Sequence, residues 1–231
     1  MTSTSPTRLR QLIAVVAIVA VAWNLIGNLV LPGVWYVPAN MAVAGGLLVF
    51  ARWAGLGWDD LGLEWRWVGR GLVIGMGVAL LIAAVIAIGV AIPSFRTFFD
   101  SDDVATATSG ERWYTALVRI PVGTAVFEEV LFRSVLLGAL LGLTSVKRAV
   151  VISAAAFGLW HVVPGWEAGQ GNAAWEVAGL IVITVMITTV AGVGFALLRM
   201  WSNSIVAPIL AHIATNSFAY VGAVVVLDLV D

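Results

Sequence analysis

The run VGRGLVIGMGVALLIAAVIAIGVAI, from Val68 to Ile92, has Arg70 as its one charged residue. Such a run is long enough to cross the hydrocarbon core of a bilayer, roughly 30 Å thick, which takes about 20 apolar residues in a helix. Working outward, further runs of near-spanning length are predicted at Gln11–Leu31, Tyr36–Leu56, Trp113–Leu141, Ala149–Val163, Trp175–Leu198 and Ser204–Leu227. Turn and charge punctuation separates them: Leu31-Pro32-Gly33, the stretch from Asp59 to Glu64, Pro93 followed by Asp100, Asp102 and Asp103 (a solvated loop), and Pro164-Gly165. The chain as a whole agrees, with 61% hydrophobic and 11% charged residues and a mean hydropathy of +1.02. A soluble domain carries about 25% charged residues. The expected fold is all-α: a polytopic transmembrane helical bundle of about seven helices, in one integral membrane domain spanning residues 1–231.

Composition also excludes whole classes of function. A net charge of -1 with scattered basic residues gives no stripe for nucleic acid. The absence of cysteine removes disulfides, thiolate nucleophiles and thiolate metal sites. Arg8 and Arg10 before an apolar stretch resemble a signal peptide, but Gln11–Leu31 is long and lacks a small-residue cleavage site, so it is read as a retained first helix. With the N-terminus inside, Arg8, Arg10, Arg52, Arg66, Arg70, Lys147, Arg148 and Arg199 fall on the cytoplasmic side, and Arg96 and Arg112 in an outside loop. The bias predicts an N-in, C-out arrangement. Trp35, Trp53, Trp58, Trp65, Trp67, Trp113, Trp166, Trp175 and Trp201 lie near predicted helix ends and read as an aromatic belt. Gly71 with Gly75, and Gly138 with Gly142, are spaced for close helix packing.

Against this background the ionisable residues inside the helices stand out, because each costs about 2.5 to 3.5 kcal/mol on insertion and such groups usually serve a function. The fourth predicted helix holds Phe127-Glu128-Glu129-Val130-Leu131-Phe132-Arg133. Glu129 and Arg133, four apart, share a face and can pair; Glu128 is turned about 100° away, uncompensated, as a general base would be. The only two histidines, His161 and His212, also lie in apolar segments. Asn216 follows His212 by one turn, so both side chains can donate toward a common point, the arrangement an oxyanion needs. Asn24 and Asn28 read as helix association, and Ser153, Thr184, Thr188 and Thr189 as hydroxyls bonded to their own or neighbouring helices.

The ordered set Glu128-Glu129-x-x-x-Arg133, Phe157-x-x-x-His161 and His212-x-x-x-Asn216 resembles the CPBP family, the CAAX prenyl proteases and bacteriocin-processing enzymes also called Abi proteins. The resemblance covers a protease-like core of about residues 113–220, with Asp60-Leu61-Gly62-Leu63 a weaker match upstream. Ser134 departs from the glycine that commonly follows the motif arginine. The resemblance implies an intramembrane endopeptidase in which Glu128 and His161 activate water and His212 and Asn216 stabilise the oxyanion. Arg133 with Glu129 would then be a brace. It implies a bacterial plasma membrane as the setting and a membrane-associated or hydrophobic peptide as substrate.

No cofactor is required by this reading, although Glu128, His161 and His212 are also a three-ligand set for zinc. The HExxH signature is missing, and the three would come from separate helices, so glutamate-activated water is preferred while zinc stays open. Two other functions compete. A proton-coupled transporter would use the Glu and His groups as a relay but needs no oxyanion donor, and no inverted repeat is visible. A non-catalytic bacteriocin immunity protein would keep the fold without the chemistry.

Overall fold

The computed structural model describes residues 5–230, except for the side chains of Asp102, Asp103 and Val230. Its helices are α1 (Pro6–Leu29), α2 (Gly33–Ala54), α3 (Val68–Ala91), α4 (109–141), α5 (Val146–Trp160), α6 (Val162–Ala168), α7 (Ala174–Ser202) and α8 (Val206–Val230). Among the described residues there is no strand. Among the described residues six segments are long and apolar enough to cross a membrane, and α4 is the seventh predicted helix. Arg119, Glu128, Glu129 and Arg133 set it apart from the apolar six. The protein is thus an all-α polytopic membrane bundle. Exposed aliphatic side chains such as Val73, Leu80, Leu81 and Val85 give α3 an apolar outer face of the kind lipid covers.

Helix ends follow local chemistry. Pro6 opens α1 at a position where its missing N–H leaves nothing unpaired. Gly55, with φ of 107°, closes α2 in the left-handed conformation. Thr108 and Glu111 form a reciprocal cap on α4: the Glu111 N–H donates to the Thr108 hydroxyl at 3.3 Å, and the Thr108 N–H to Oε2 of Glu111 at 2.8 Å. Asp100 is exposed, as a solvated loop requires, and the backbone from Asp102 to Thr106 forms one short helix; the side chains of Asp102 and Asp103 lie outside the described residues.

The most buried helix is the most charged. From Phe127 to Leu140 every residue of α4 is buried, so the other helices enclose this stretch and Glu128, Glu129 and Arg133 are kept from lipid. Its winding is wide over Thr115–Val126 and Val130–Leu136, with one ordinary turn at Phe127–Glu129 between. Pro121 lies in the first wide segment, where it lacks an N–H and its ring would crowd the carbonyl four residues back in a regular helix. Small residues seat the neighbours: a Cβ on Gly71 would lie 2.7 Å from the Ser204 hydroxyl, and one on Gly75 2.9 Å from Cα of Ala207, so α3 and α8 cross at backbone distance.

The α2–α3 connection grips three helices through Asp60-Leu61-Gly62. The Ser134 hydroxyl of α4 donates to the Leu61 carbonyl at 2.7 Å, the Ile205 N–H to the Gly62 carbonyl at 2.9 Å, and Nη2 of Arg199 on α7 to the carbonyls of Asp59 and Asp60 at 2.9 and 3.1 Å. Gly62 has φ of 71°, and a side chain there would collide with the Arg199 guanidinium. Gly62→Ala is therefore expected to destabilise the protein by more than about 1 kcal/mol, read as a lower midpoint of thermal unfolding in detergent. An unchanged midpoint would mean that this loop is not a structural tie.

One element differs from expectation. The predicted fifth helix, Ala149–Val163, breaks at His161 (φ -89°, ψ 9°) and resumes as α6. Pro164 supplies the reason, since it cannot bond the carbonyl of Trp160 and clashes with it in a continuous helix. That carbonyl accepts instead from Nδ2 of Asn24 on α1 at 2.8 Å. The association role read for Asn24 is what the structure contains, and His161 sits at a helix break rather than within a helix. Three of the four hydroxyls behave as read: Ser153 donates to the Phe132 carbonyl at 2.9 Å, and Thr188 and Thr189 donate to carbonyls one turn back at 2.7 Å each.

Candidate active site

Glu128, Glu129 and Arg133 on α4, His161 after α5 and His212 on α8 converge in the bundle. Glu128 is 5% exposed; Glu129 and Arg133 are 0% exposed. Oε1 of Glu129 takes two cationic or donor groups, Nη1 of Arg133 at 3.2 Å and Nδ1 of His212 at 2.9 Å. The guanidinium is walled by rings, its centre 4.0 Å from the centroid of Phe157 and 5.2 Å from that of Phe195. Nη2 of Arg133 also reaches the Gly192 carbonyl at 3.4 Å. The expected Glu129–Arg133 pair is thus present, with His212 as a third member.

Glu128 sits differently. Its Oε1 accepts from the indole N–H of Trp160 at 3.0 Å, whereas its buried Oε2 has no hydrogen-bond partner and lies 3.8 Å from Nε2 of His212. The two carboxylates approach opposite nitrogens of one imidazole. Phe195 stacks on that ring at 4.9 Å and 17°.

Histidine tautomers follow from the partners. Nδ1 of His161 is 2.8 Å from the Phe157 carbonyl, which can only accept, so Nδ1 carries the proton and Nε2 is left as the basic nitrogen. Nδ1 of His212 faces an acceptor too. For its Nε2 to donate as well, the ring must carry both protons, a form balanced by a carboxylate at each end. Asn216, one turn along α8, is half-buried, and its side chain makes no hydrogen bond among the described residues.

Glu128 and His161 share a cavity of about 200 Å³ with Asn28, Tyr36, Thr124 and Trp160. It has room for several waters and enough polar groups to hold them. A larger void of about 820 Å³, lined by Val78, Ile82, Leu198, Trp201 and Phe195 among others, carries no ionisable group, so the smaller cavity is where chemistry can occur. The zinc alternative finds no support in this geometry: among the described residues no three His, Asp or Glu side chains gather around one point as a metal requires, so Glu128, His161 and His212 do not fit it.

Sequence reasoning missed Trp160, Trp23, Asn40 and Tyr36. A signal for two of them existed. Of the eleven tryptophans, nine read as belt residues, and the remaining two are those whose indoles work in the interior. Trp160 donates to Glu128, and Trp23 donates to Oδ1 of Asn40 at 2.6 Å. A buried indole N–H needs an acceptor. Asn40 in turn donates to the Gly123 carbonyl at 2.8 Å, and Tyr36 and Thr124 share a hydrogen bond at 3.2 Å, closing the wall between α2 and α4.

Comparisons with known proteins bear on this cluster. Residues 110–218 match the family model Rce1-like, described as type II CAAX prenyl endopeptidase Rce1-like, a segment that holds all of Glu128, Glu129, Arg133, His161, His212 and Asn216. No curated protein and no solved structure matches the chain. Over residues 110–218, just under half of the chain, the protein is similar to the CAAX-type endopeptidases of the CPBP family.

Proposed function

We propose that this protein hydrolyses a peptide bond in a membrane-associated or hydrophobic peptide by attack of a water that Glu128 and His161 activate. The observation that carries the reading is the state of Glu128: one oxygen fixed by Trp160, the other buried, without a hydrogen bond and beside a cavity shared with His161. Oε2 takes a proton from water while Nε2 of His161 orients it. The resulting hydroxide adds to the scissile carbonyl carbon, and its charge passes to the carbonyl oxygen. His212, doubly protonated, and Asn216 donate to that oxyanion. On collapse the C–N bond breaks and Glu128 returns the proton to the leaving amine, so the base ends as it began. Glu129 and Arg133 orient His212 and do not touch the substrate.

A transporter's relay would need titratable groups spaced across the membrane. Among the described residues the buried ones, Arg199 aside, form a single cluster, which supports the protease reading. The setting that accompanies this reading is a bacterial plasma membrane with the N-terminus cytoplasmic, on the strength of the Lys and Arg distribution.

Peptide-cleavage kinetics of purified variants test the roles. Asn216→Ala is expected to lower kcat on the order of 100-fold with little change in KM, because an oxyanion donor acts in the transition state alone. A rise in KM at constant kcat would assign Asn216 to substrate binding. Trp160→Phe keeps the ring but frees Oε1 of Glu128. Its expected signature is a roughly tenfold or larger loss of kcat together with a displaced pH–rate profile, whereas a purely structural tryptophan would leave the profile in place.

A further inference from the structure

We infer that the Glu128–His161 cavity opens on the extracytoplasmic face of the membrane, so that its substrate is a peptide segment presented there and not a cytosolic tail. The inference rests on the proposed proteolytic site for the word substrate, but its direction comes from topology. One end of the bundle is fixed by contacts among the start of α1, the α2–α3 connection, the ends of α4 and α7 and the start of α8. A Cβ on Gly142 would lie 2.6 Å from Leu9, one on Gly138 2.7 Å from the Asp60 carbonyl, and Arg199 and Ile205 bond the same connection. Of the twelve Lys and Arg residues, eight belong to this end: Arg8, Arg10, Arg52, Arg66, Arg70, Lys147, Arg148 and Arg199. Arg96 and Arg112 belong to the opposite end, and Arg119 and Arg133 lie along α4. Short loops rich in Lys and Arg stay in the cytoplasm.

The cavity lies toward the other end. Asn28 in its wall is the penultimate residue of α1, Tyr36 lies in the first turn of α2, and His161 and Pro164 mark the break where α5 passes into α6. The turn between α1 and α2, with Val30, Val34 and Trp35 exposed beside it, is therefore the nearest surface from which water and peptide can enter. On the basic side, the Glu129–Arg133 pair and the closed ties of Ser134 to Leu61 and of Ile205 to Gly62 lie between Glu128 and the cytoplasm.

The chain has no cysteine, so single cysteines report cleanly. Gly33→Cys stands at the α1–α2 turn, where a Cβ meets nothing within 4 Å; Asn28→Cys is in the cavity wall; Lys147→Cys is exposed at the basic end. In intact cells, a membrane-impermeant maleimide is expected to label Gly33→Cys and Asn28→Cys, and to label Lys147→Cys only after permeabilisation. The reverse pattern overturns the inference by placing the cavity toward the cytoplasm. Gly33→Cys that reacts while Asn28→Cys stays protected, even in permeabilised cells, also overturns it by closing the cavity at that face. Labelling needs no turnover, so a protein that cleaves nothing can still pass, and failure of the protease reading stays distinct from failure of this one.

Discussion

Glu128→Gln is expected to fold, insert and keep its hydrogen bond from Trp160, and to lose at least about 1,000-fold in peptide cleavage. Glutamine is isosteric with glutamate, and its carbonyl oxygen can still accept the indole N–H. What disappears is the proton acceptor at the second oxygen, the atom that lies buried and without a hydrogen bond 3.8 Å from His212. General-base catalysis is worth roughly 100- to 10,000-fold, and here the same group must also protonate the leaving amine, so the loss belongs near the upper end. Single-turnover cleavage with unfolding followed in parallel checks it. A Glu128→Gln protein that is folded and retains a tenth of wild-type activity would remove Glu128 from the chemistry.

Glu129→Gln should fail differently, in stability before activity. The substitution leaves the Arg133 charge at 0% exposure with rings around it and without its ion-pair partner, and it weakens the acceptor for Nδ1 of His212. Removing one member of a buried pair typically costs about 3 to 5 kcal/mol. Low yield of folded protein and a much lower unfolding midpoint are expected. Adding Arg133→Met should recover a good part of that stability without restoring activity, since it removes the unpaired buried charge but does not return the carboxylate that holds His212. If the double variant is as unstable as Glu129→Gln alone, the ion pair is not the source of the effect.

The sequence made the membrane bundle and most of the cluster legible for a definite reason. Lipid permits few exceptions to apolar composition, so each intramembrane Glu, Arg, His or Asn is visible against its run. The Glu129–Arg133 pair followed from helical spacing, and the family resemblance found the segment that the family model matches. The contact of His212 with Glu129 was not legible, because a periodicity rule describes one helix and says nothing about which residue of another helix will meet it. The break at His161 had a visible cause in Pro164, but its partner, Asn24, lies 136 positions away from Trp160. Trp160 was hidden by its own kind: in a chain with eleven tryptophans a belt explains most of them, and the one that holds Glu128 closes α5, at a helix end as belt residues do.

The most direct test of a glutamate-activated water is cleavage of a quenched fluorescent peptide library by the detergent-purified wild-type protein, with and without a zinc chelator and beside folded Glu128→Gln and His161→Ala. The proposed mechanism predicts cleavage by the wild type that is unaffected by the chelator and silent in both variants. Loss of cleavage on chelation, restored by added metal, would contradict it, as would a wild type that cuts no peptide.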